Sequence, residues 1–113
     1  TDMIFLEGMT DGWFAVTNEA LGVSFGMSYP AEVFKVLWYW RVFRGGADYP
    51  WWSGTWNMAL EPCATLPVLE QAAKSGTALR LGPGETREVN LLAVSFEGSQ
   101  AVRGIGPEGQ VLF

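Results

Sequence analysis

The residues best placed to do chemistry are a carboxylate and an amide on one short alternating run. The run Trp56–Leu60 alternates between apolar and small or polar residues, and its second side carries Asn57, Ala59 and then Glu61. A carboxylate can remove a proton and an amide can orient a hydroxyl, so Glu61 and Asn57 form a candidate site for one polar ligand. The residue pattern alone favours a simpler interpretation of Glu61, an exposed acid at the end of a strand.

Aromatic rings are concentrated in the segment Arg44–Thr55, just before this run, and in the apolar stretch that precedes it. Trp38 and Trp40 alternate in an apolar stretch, which is typical of a core, while Tyr49, Trp51 and Trp52 crowd into four positions of a Gly- and Pro-rich stretch. Flat rings suit the apolar face of a ligand. Rings in a loop are also typical of an oligomer interface, so both interpretations stay open.

Two arginines, Arg41 and Arg44, lie beside these rings and are candidate donors to ligand hydroxyls or a phosphate. Ordinary solvated charges are the alternative for both. Gly82-Pro83-Gly84 predicts a turn rather than a phosphate-binding loop, because no Lys-Ser/Thr pair opens a helix after it.

The composition excludes several classes of function. The chain has no His, which argues against a zinc site and against Ser-His or Cys-His catalysis, and we expect no metal and no cofactor. A net charge of -5 disfavours nucleic acid and anionic membrane surfaces as partners. The single Cys63 cannot form an internal disulfide, which favours a cytoplasmic location and a small, inert side chain.

The elements that must position these residues are mainly strands. Short runs rich in β-branched and aromatic residues, separated by Gly and Pro, predict strands over Gly12–Thr17, Leu21–Tyr29, Phe34–Phe43 and Trp56–Leu60. The third has apolar residues on both faces and should be covered on both, whereas Val23, Phe25 and Met27 share one face of the second. Pro62 should end the fourth strand, since it has no N–H to donate.

The rest of the chain predicts one helix and further hairpins. Pro67–Ser75 has a helical apolar stripe and is followed by Gly76, which suits a C-terminal cap. Thr77–Leu81 and Glu88–Phe96 should pair around a type II turn at Pro83-Gly84, and short strands should flank Gly106–Gly109. We expect residues 1–113 to form a single domain, a mainly β, antiparallel β-sandwich with one short helix.

The order of these pieces resembles the C-terminal half of the aldose 1-epimerase (galactose mutarotase-like) family. The resemblance covers about Gly12 to Gly98 and is carried by GWFAVTNEALGVSFGMSYP, VLWYWRVFRGGADYPWW, ALEPCATLP, a short helix and TALRLGPGETREVNLLAVSFEG. The family's fold is a β-supersandwich about twice this length that binds a pyranose in a cleft. This chain departs from the pattern at Phe34-Lys35 and at Cys63.

The resemblance implies a monosaccharide or other small carbohydrate as ligand and an isomerase chemistry. The family's general base, which removes the proton of the anomeric hydroxyl, matches Glu61 in Ala59-Leu60-Glu61-Pro62. Asn57, Trp40, Tyr49, Trp51, Trp52 and Arg41 are then candidate sugar-binding residues. The family's usual His acid is missing, so anomer interconversion needs an acid from elsewhere, with Asp48 and Tyr39 as possible substitutes.

Two predictions follow for the molecule as a whole. Half of a supersandwich should leave sheet edges and an aromatic face uncovered, and such surfaces pair, so we expect a homodimer. The alternative to an epimerase-like protein is a β-sandwich without catalysis, a ligand-binding or assembly module, and the missing His is its main support.

Overall fold

The chain is mainly antiparallel β-structure with one short helix, as the sequence predicts. The computed structural model describes residues 1–113. Its elements, in chain order, are β1 (Asp2–Glu7), β2 (Trp13–Asn18), β3 (Val23–Ser28), β4 (Val36–Phe43), β5 (Trp56–Cys63), α1 (Leu69–Ser75), β6 (Leu92–Glu97), β7 (Gly104–Ile105) and β8 (Val111–Leu112). No helix is long and apolar enough to cross a membrane.

The chain divides into two compact units, each built from two separate segments. The first unit contains Thr1–Met9 and Val33–Arg80, and the second contains Thr10–Glu32 and Leu81–Phe113. Each unit has its own three-stranded antiparallel sheet, with order β1-β4-β5 in the first and β2-β3-β6 in the second. The single domain expected from the sequence stays a prediction.

In the first unit, β4 is the central strand and carries most of the buried apolar residues. Val36 and Leu37 point to opposite faces of the sheet and are both buried, and Val42 is completely buried. Phe43 at the other end is exposed. The sequence predicts that both faces of β4 are covered. This is confirmed at the start of the strand, whereas at its end only the face with Val42 is buried.

Two features of this sheet differ from the sequence-based expectations. Strand β1 was not expected, because its apolar residues occupy both faces and show no alternation. Strand β5 does not stop before Pro62 but continues to Cys63, with Pro62 opposite Leu37. Since β5 is an edge strand, a missing N–H on its open side removes no ladder hydrogen bond.

In the second unit, the short β7–β8 hairpin packs on one face of the β2-β3-β6 sheet, which gives a sandwich-like pair of layers. The buried face of β3 carries Ser24, Gly26 and Ser28 rather than the apolar face with Val23 and Phe25. The reason is steric. Gly26 has no side chain, so Ile105 of the hairpin can pack closely on this face, where a Cβ at Gly26 would collide with Cδ1 of Ile105. Alternation predicts two faces of β3, but the hairpin decides which one is buried.

The helix and the segment after it agree with the sequence only in part. Helix α1 ends as predicted at Gly76, whose φ of 74° is left-handed and whose N–H donates to the Ala72 carbonyl. Of its expected apolar stripe only Ala72 is buried, while Leu69 is 71% exposed. The helix is capped at its C-terminus, whereas its N-cap residue Val68 makes no side-chain hydrogen bond, and it packs little.

The predicted pairing of Thr77–Leu81 with Glu88–Phe96 is wrong. No strand forms from Thr77 to Leu91, and β6 pairs with β3 instead. The type II turn is present, since Gly84 has a φ of 73° and the Glu85 N–H donates to the Gly82 carbonyl at 3.0 Å. The turn chemistry is local and predictable, whereas the partner of β6 is distant in sequence.

Candidate functional site

One side of the β1-β4-β5 sheet brings together three of the predicted site residues, Glu61, Asn57 and Trp40. In the register of β4 and β5, Glu61 lies opposite Trp38, Ala59 opposite Trp40 and Asn57 opposite Val42. Residues opposite each other in antiparallel strands, and residues two apart on one strand, share a side of the sheet. We call this the Glu61 side.

The Glu61 carboxylate is half-buried and makes no hydrogen bond or ion pair within the chain. Its neighbour across the strands, Trp38, is held from two directions. The indole N–H of Trp38 donates to the Thr65 carbonyl at 3.0 Å, and its ring meets Phe5 edge-on, with ring centroids 5.5 Å apart. A free carboxylate thus lies beside a ring whose position is fixed.

Trp40 connects the Glu61 side to the loop between β4 and β5. Its ring lies 5.3 Å, centroid to centroid, from that of Trp51. Trp51 also packs on Gly46, where a Cβ would come within 2.9 Å of the Cβ and Cγ of Trp51. The glycine therefore makes room for the loop tryptophan that rests on Trp40.

The other two rings of the loop, Tyr49 and Trp52, are exposed to solvent. Tyr49 is 79% exposed and Trp52 67% exposed, and their rings meet edge-on at 6.3 Å. The backbone N–H groups of Trp51 and Trp52 both donate to the Asp48 carbonyl, and that of Ser53 to the Gly46 carbonyl. Internal hydrogen bonds thus hold this loop in shape.

Trp52 and Ser53 also adopt left-handed backbone conformations, with φ of 46° and 54°. Such values are uncommon for residues other than Gly and carry a cost in free energy, about 1 kcal/mol or more for each residue. Strain of this kind is concentrated at functional sites.

Arg41 does not join the group. It lies on the opposite side of the sheet, where its guanidinium forms an ion pair with Asp2 at 2.8 Å and lies 5.8 Å from the centre of the Tyr39 ring. The hydrogen bond from Arg41 lowers the pKa of Asp2, and the same bond raises the pKa of Arg41. Tyr39, a possible substitute acid, shares that opposite side and is therefore separated from Glu61 by the sheet.

Two residues near Glu61 received no functional role from the sequence. Phe5 was missed because β1 was missed, although the short apolar run DMIFLE could have indicated a strand. Cys63 follows Glu61 by two positions and shares its side. Burial, and then the charge of Glu61, raise the pKa of the Cys63 thiol, so it stays protonated and unreactive at neutral pH.

Comparisons of the chain with family models, with characterised proteins and with solved structures found no match. The resemblance to aldose 1-epimerases therefore remains a prediction from the residues. No group of three or more His, Cys, Asp or Glu side chains is arranged to hold a metal ion. What the Glu61 side offers is a free carboxylate, an exposed amide and a set of positioned indole rings.

Proposed function

We propose that the chain is a carbohydrate-binding, aldose 1-epimerase-like protein whose Glu61 carboxylate is the general base. The observation that carries the proposal is the unpaired carboxylate of Glu61 directly across the strands from the fixed ring of Trp38. Sugars present hydroxyls at their edges and C–H groups on their faces. A carboxylate beside an indole matches both kinds of surface.

The reaction places a defined demand on this site. Glu61 takes the proton of the hydroxyl at C1, the bond from C1 to the ring oxygen breaks, and an acid supplies a proton to that oxygen. Rotation about the bond from C1 to C2 and reclosure return the other anomer: the ring oxygen returns its proton to the acid, and Glu61 gives its proton back to the oxygen at C1. Because this chain has no His, the acid is either the substitute Asp48 or a group from a partner or from another part of a longer chain.

The missing acid favours a second candidate function, binding of a sugar without catalysis in a ligand-binding or assembly module. The two functions share the Glu61 side and differ only in turnover. We propose a cytoplasmic location for either, from the lone thiol of Cys63.

The proposal predicts how a hexose perturbs the six tryptophan indoles in an NMR titration. D-glucose, D-galactose and D-mannose are added in turn, and the bound hexose should shift the indole N–H signals of Trp38 and Trp40. The signal of Trp56, which lies on the opposite side of the sheet, should stay in place. Shifts confined to Trp56, or no shift with any hexose, would contradict the proposal.

Glu61→Gln tests the chemical role of the carboxylate. If the chain accelerates mutarotation, followed by polarimetry, Glu61→Gln should slow it by about 10²- to 10⁴-fold because the base is gone. Glu97→Gln is the matched control, since Glu97 is also an acid at the end of a strand. Full acceleration in Glu61→Gln would exclude Glu61 as the base, whereas hexose binding without acceleration in the unaltered chain would establish the second candidate.

A further inference from the structure

The predicted site residues lie along a line, not around a point. Glu61 and Asn57 are four residues apart on β5, and a strand rises about 3.3 Å per residue, which separates their Cα atoms by about 13 Å. That is longer than one pyranose ring. One hexose at Glu61 therefore leaves Asn57 without a ligand.

The side chain between these two residues on β5 is small. The residue between them on the Glu61 side is Ala59, whose methyl group leaves room beside the ring of Trp40 across the strands. The central strand offers less room, because Val36 and Val42 are buried, whereas Asn57 is exposed and Ala59 and Glu61 are half-buried. A ligand on this side would therefore lie along β5.

The line continues from Asn57 to the loop rings. Strand β4 ends at Phe43, and β5 begins opposite it at Trp56, next to Asn57. The loop that joins the two strands carries Tyr49 and Trp52. Trp51 of the same loop packs on Trp40, which ties the loop to the Glu61 side. Along β5 the order is Glu61 opposite Trp38, Ala59 opposite Trp40 and then Asn57, beyond which the chain enters the loop that carries Tyr49 and Trp52.

We infer that the ligand is the reducing end of an oligosaccharide, with its anomeric hydroxyl at Glu61 and its next sugars along β5 toward Tyr49 and Trp52. This inference rests on the proposed function. The direction follows from chemistry, because only the reducing end has the free C1 hydroxyl that Glu61 acts on. The exposed rings of Tyr49 and Trp52 then stack on the face of a second or third sugar unit, which does not take part in the reaction.

The length of the ligand is tested by comparing each hexose with its 1,4-linked trisaccharide in calorimetric titrations. The trisaccharide should bind about tenfold more tightly, the gain that stacking on one or two further rings provides. Trp52→Ala should remove most of this gain, lowering the affinity for the trisaccharide by a much larger factor than the affinity for the hexose. Trp52→Phe, which keeps a ring, should restore much of it.

Trp56→Ala is the matched control. Trp56 is 69% exposed, against 67% for Trp52, and lies on the opposite side of the sheet from Glu61. Its loss should leave the affinities for both hexose and trisaccharide unchanged. A circular dichroism spectrum like that of the unaltered chain verifies that each variant is folded.

The outcomes separate this inference from the function on which it rests. Hexose binding with no gain for the trisaccharide overturns the extended site and leaves the proposed function in place. If the trisaccharide still binds more tightly than the hexose in Trp52→Ala, the loop rings do not bind the sugar. If Trp52→Ala changes the mass by light scattering and not the sugar affinity, the rings are a surface for a second copy, and the inference is wrong. No binding of any sugar overturns both proposals.

Discussion

At the scale of single residues, the carboxylate of Glu61 raises the pKa of the Cys63 thiol. They lie two residues apart on the same side of an edge strand, and the negative charge of Glu61 is one of two causes that raise the pKa of Cys63. The larger cause is burial of the thiol. The folded chain therefore holds the thiol proton more tightly than the unfolded chain does.

This coupling predicts the pH dependence of alkylation. The rate of reaction of Cys63 with iodoacetamide should rise at a higher pH than for an ordinary thiol, and Glu61→Gln should move that midpoint down because the charge is removed. Glu97→Gln should leave the midpoint unchanged. An unmoved midpoint in Glu61→Gln would mean that the carboxylate points away from Cys63.

The sign of the effect on stability follows from the same shift. A raised pKa in the folded state means that the contribution of Cys63 to stability is present below the ordinary thiol pKa. It is lost as the pH rises from that value through the raised one. Cys63→Ser should remove this part of the alkaline loss of stability in urea titrations.

Alternation along the chain was sufficient to place Glu61 and Asn57 on one side, because side-chain direction in a strand depends only on the position of each residue. The partner of Arg41 was not predictable in this way. Asp2 meets Arg41 through the pairing of β1 with β4, a contact between residues 39 positions apart. Local pattern does not encode such a pairing.

At the scale of elements, the close approach of the β7–β8 hairpin to β3 decides how the second unit is packed. Gly26 is the residue that permits it, since a side chain there would meet Cδ1 of Ile105 and the carbonyl oxygen of Phe14. The sequence gives the strands and the turn at Gly106–Gly109, both local features. The packing of the β7–β8 hairpin on β3 is not predictable in this way, because a glycine in a strand does not indicate which residue packs against it.

Gly26→Ala should therefore destabilise the chain by about 1–3 kcal/mol, the usual cost of overpacking. Ile105→Ala should also destabilise it, because Ile105 is buried. The double variant should be more stable than the sum of the two changes predicts, since the smaller side chain relieves the collision with the new methyl group. Urea denaturation of all four chains gives the coupling energy, and strict additivity would show that the two residues do not meet.

At the scale of the whole molecule, each three-stranded sheet has two edge strands that pair on one side only. In the first unit these are β1 and β5, and in the second β2 and β6. Unpaired strand edges and exposed rings such as Trp56 are surfaces that other chains cover.

The homodimer is therefore the expected state in solution. Light scattering at micromolar concentration should give twice the mass of the chain, and dilution should convert the dimer into the monomer. A monomer throughout that range would show that these edges remain open without a second copy. Added trisaccharide should leave the mass unchanged if the loop rings serve the sugar.

The interleaving of the two units has a consequence for how the chain is made. All residues of the first unit have been synthesised once Arg80 has left the ribosome. Strands β2 and β3 are synthesised before most of the first unit, but β6, which pairs with β3, is synthesised much later. Strand β3 would then spend much of synthesis with one edge unpaired, the condition under which nascent chains aggregate. Chaperone dependence during translation should therefore be greatest before Leu92–Glu97 emerges.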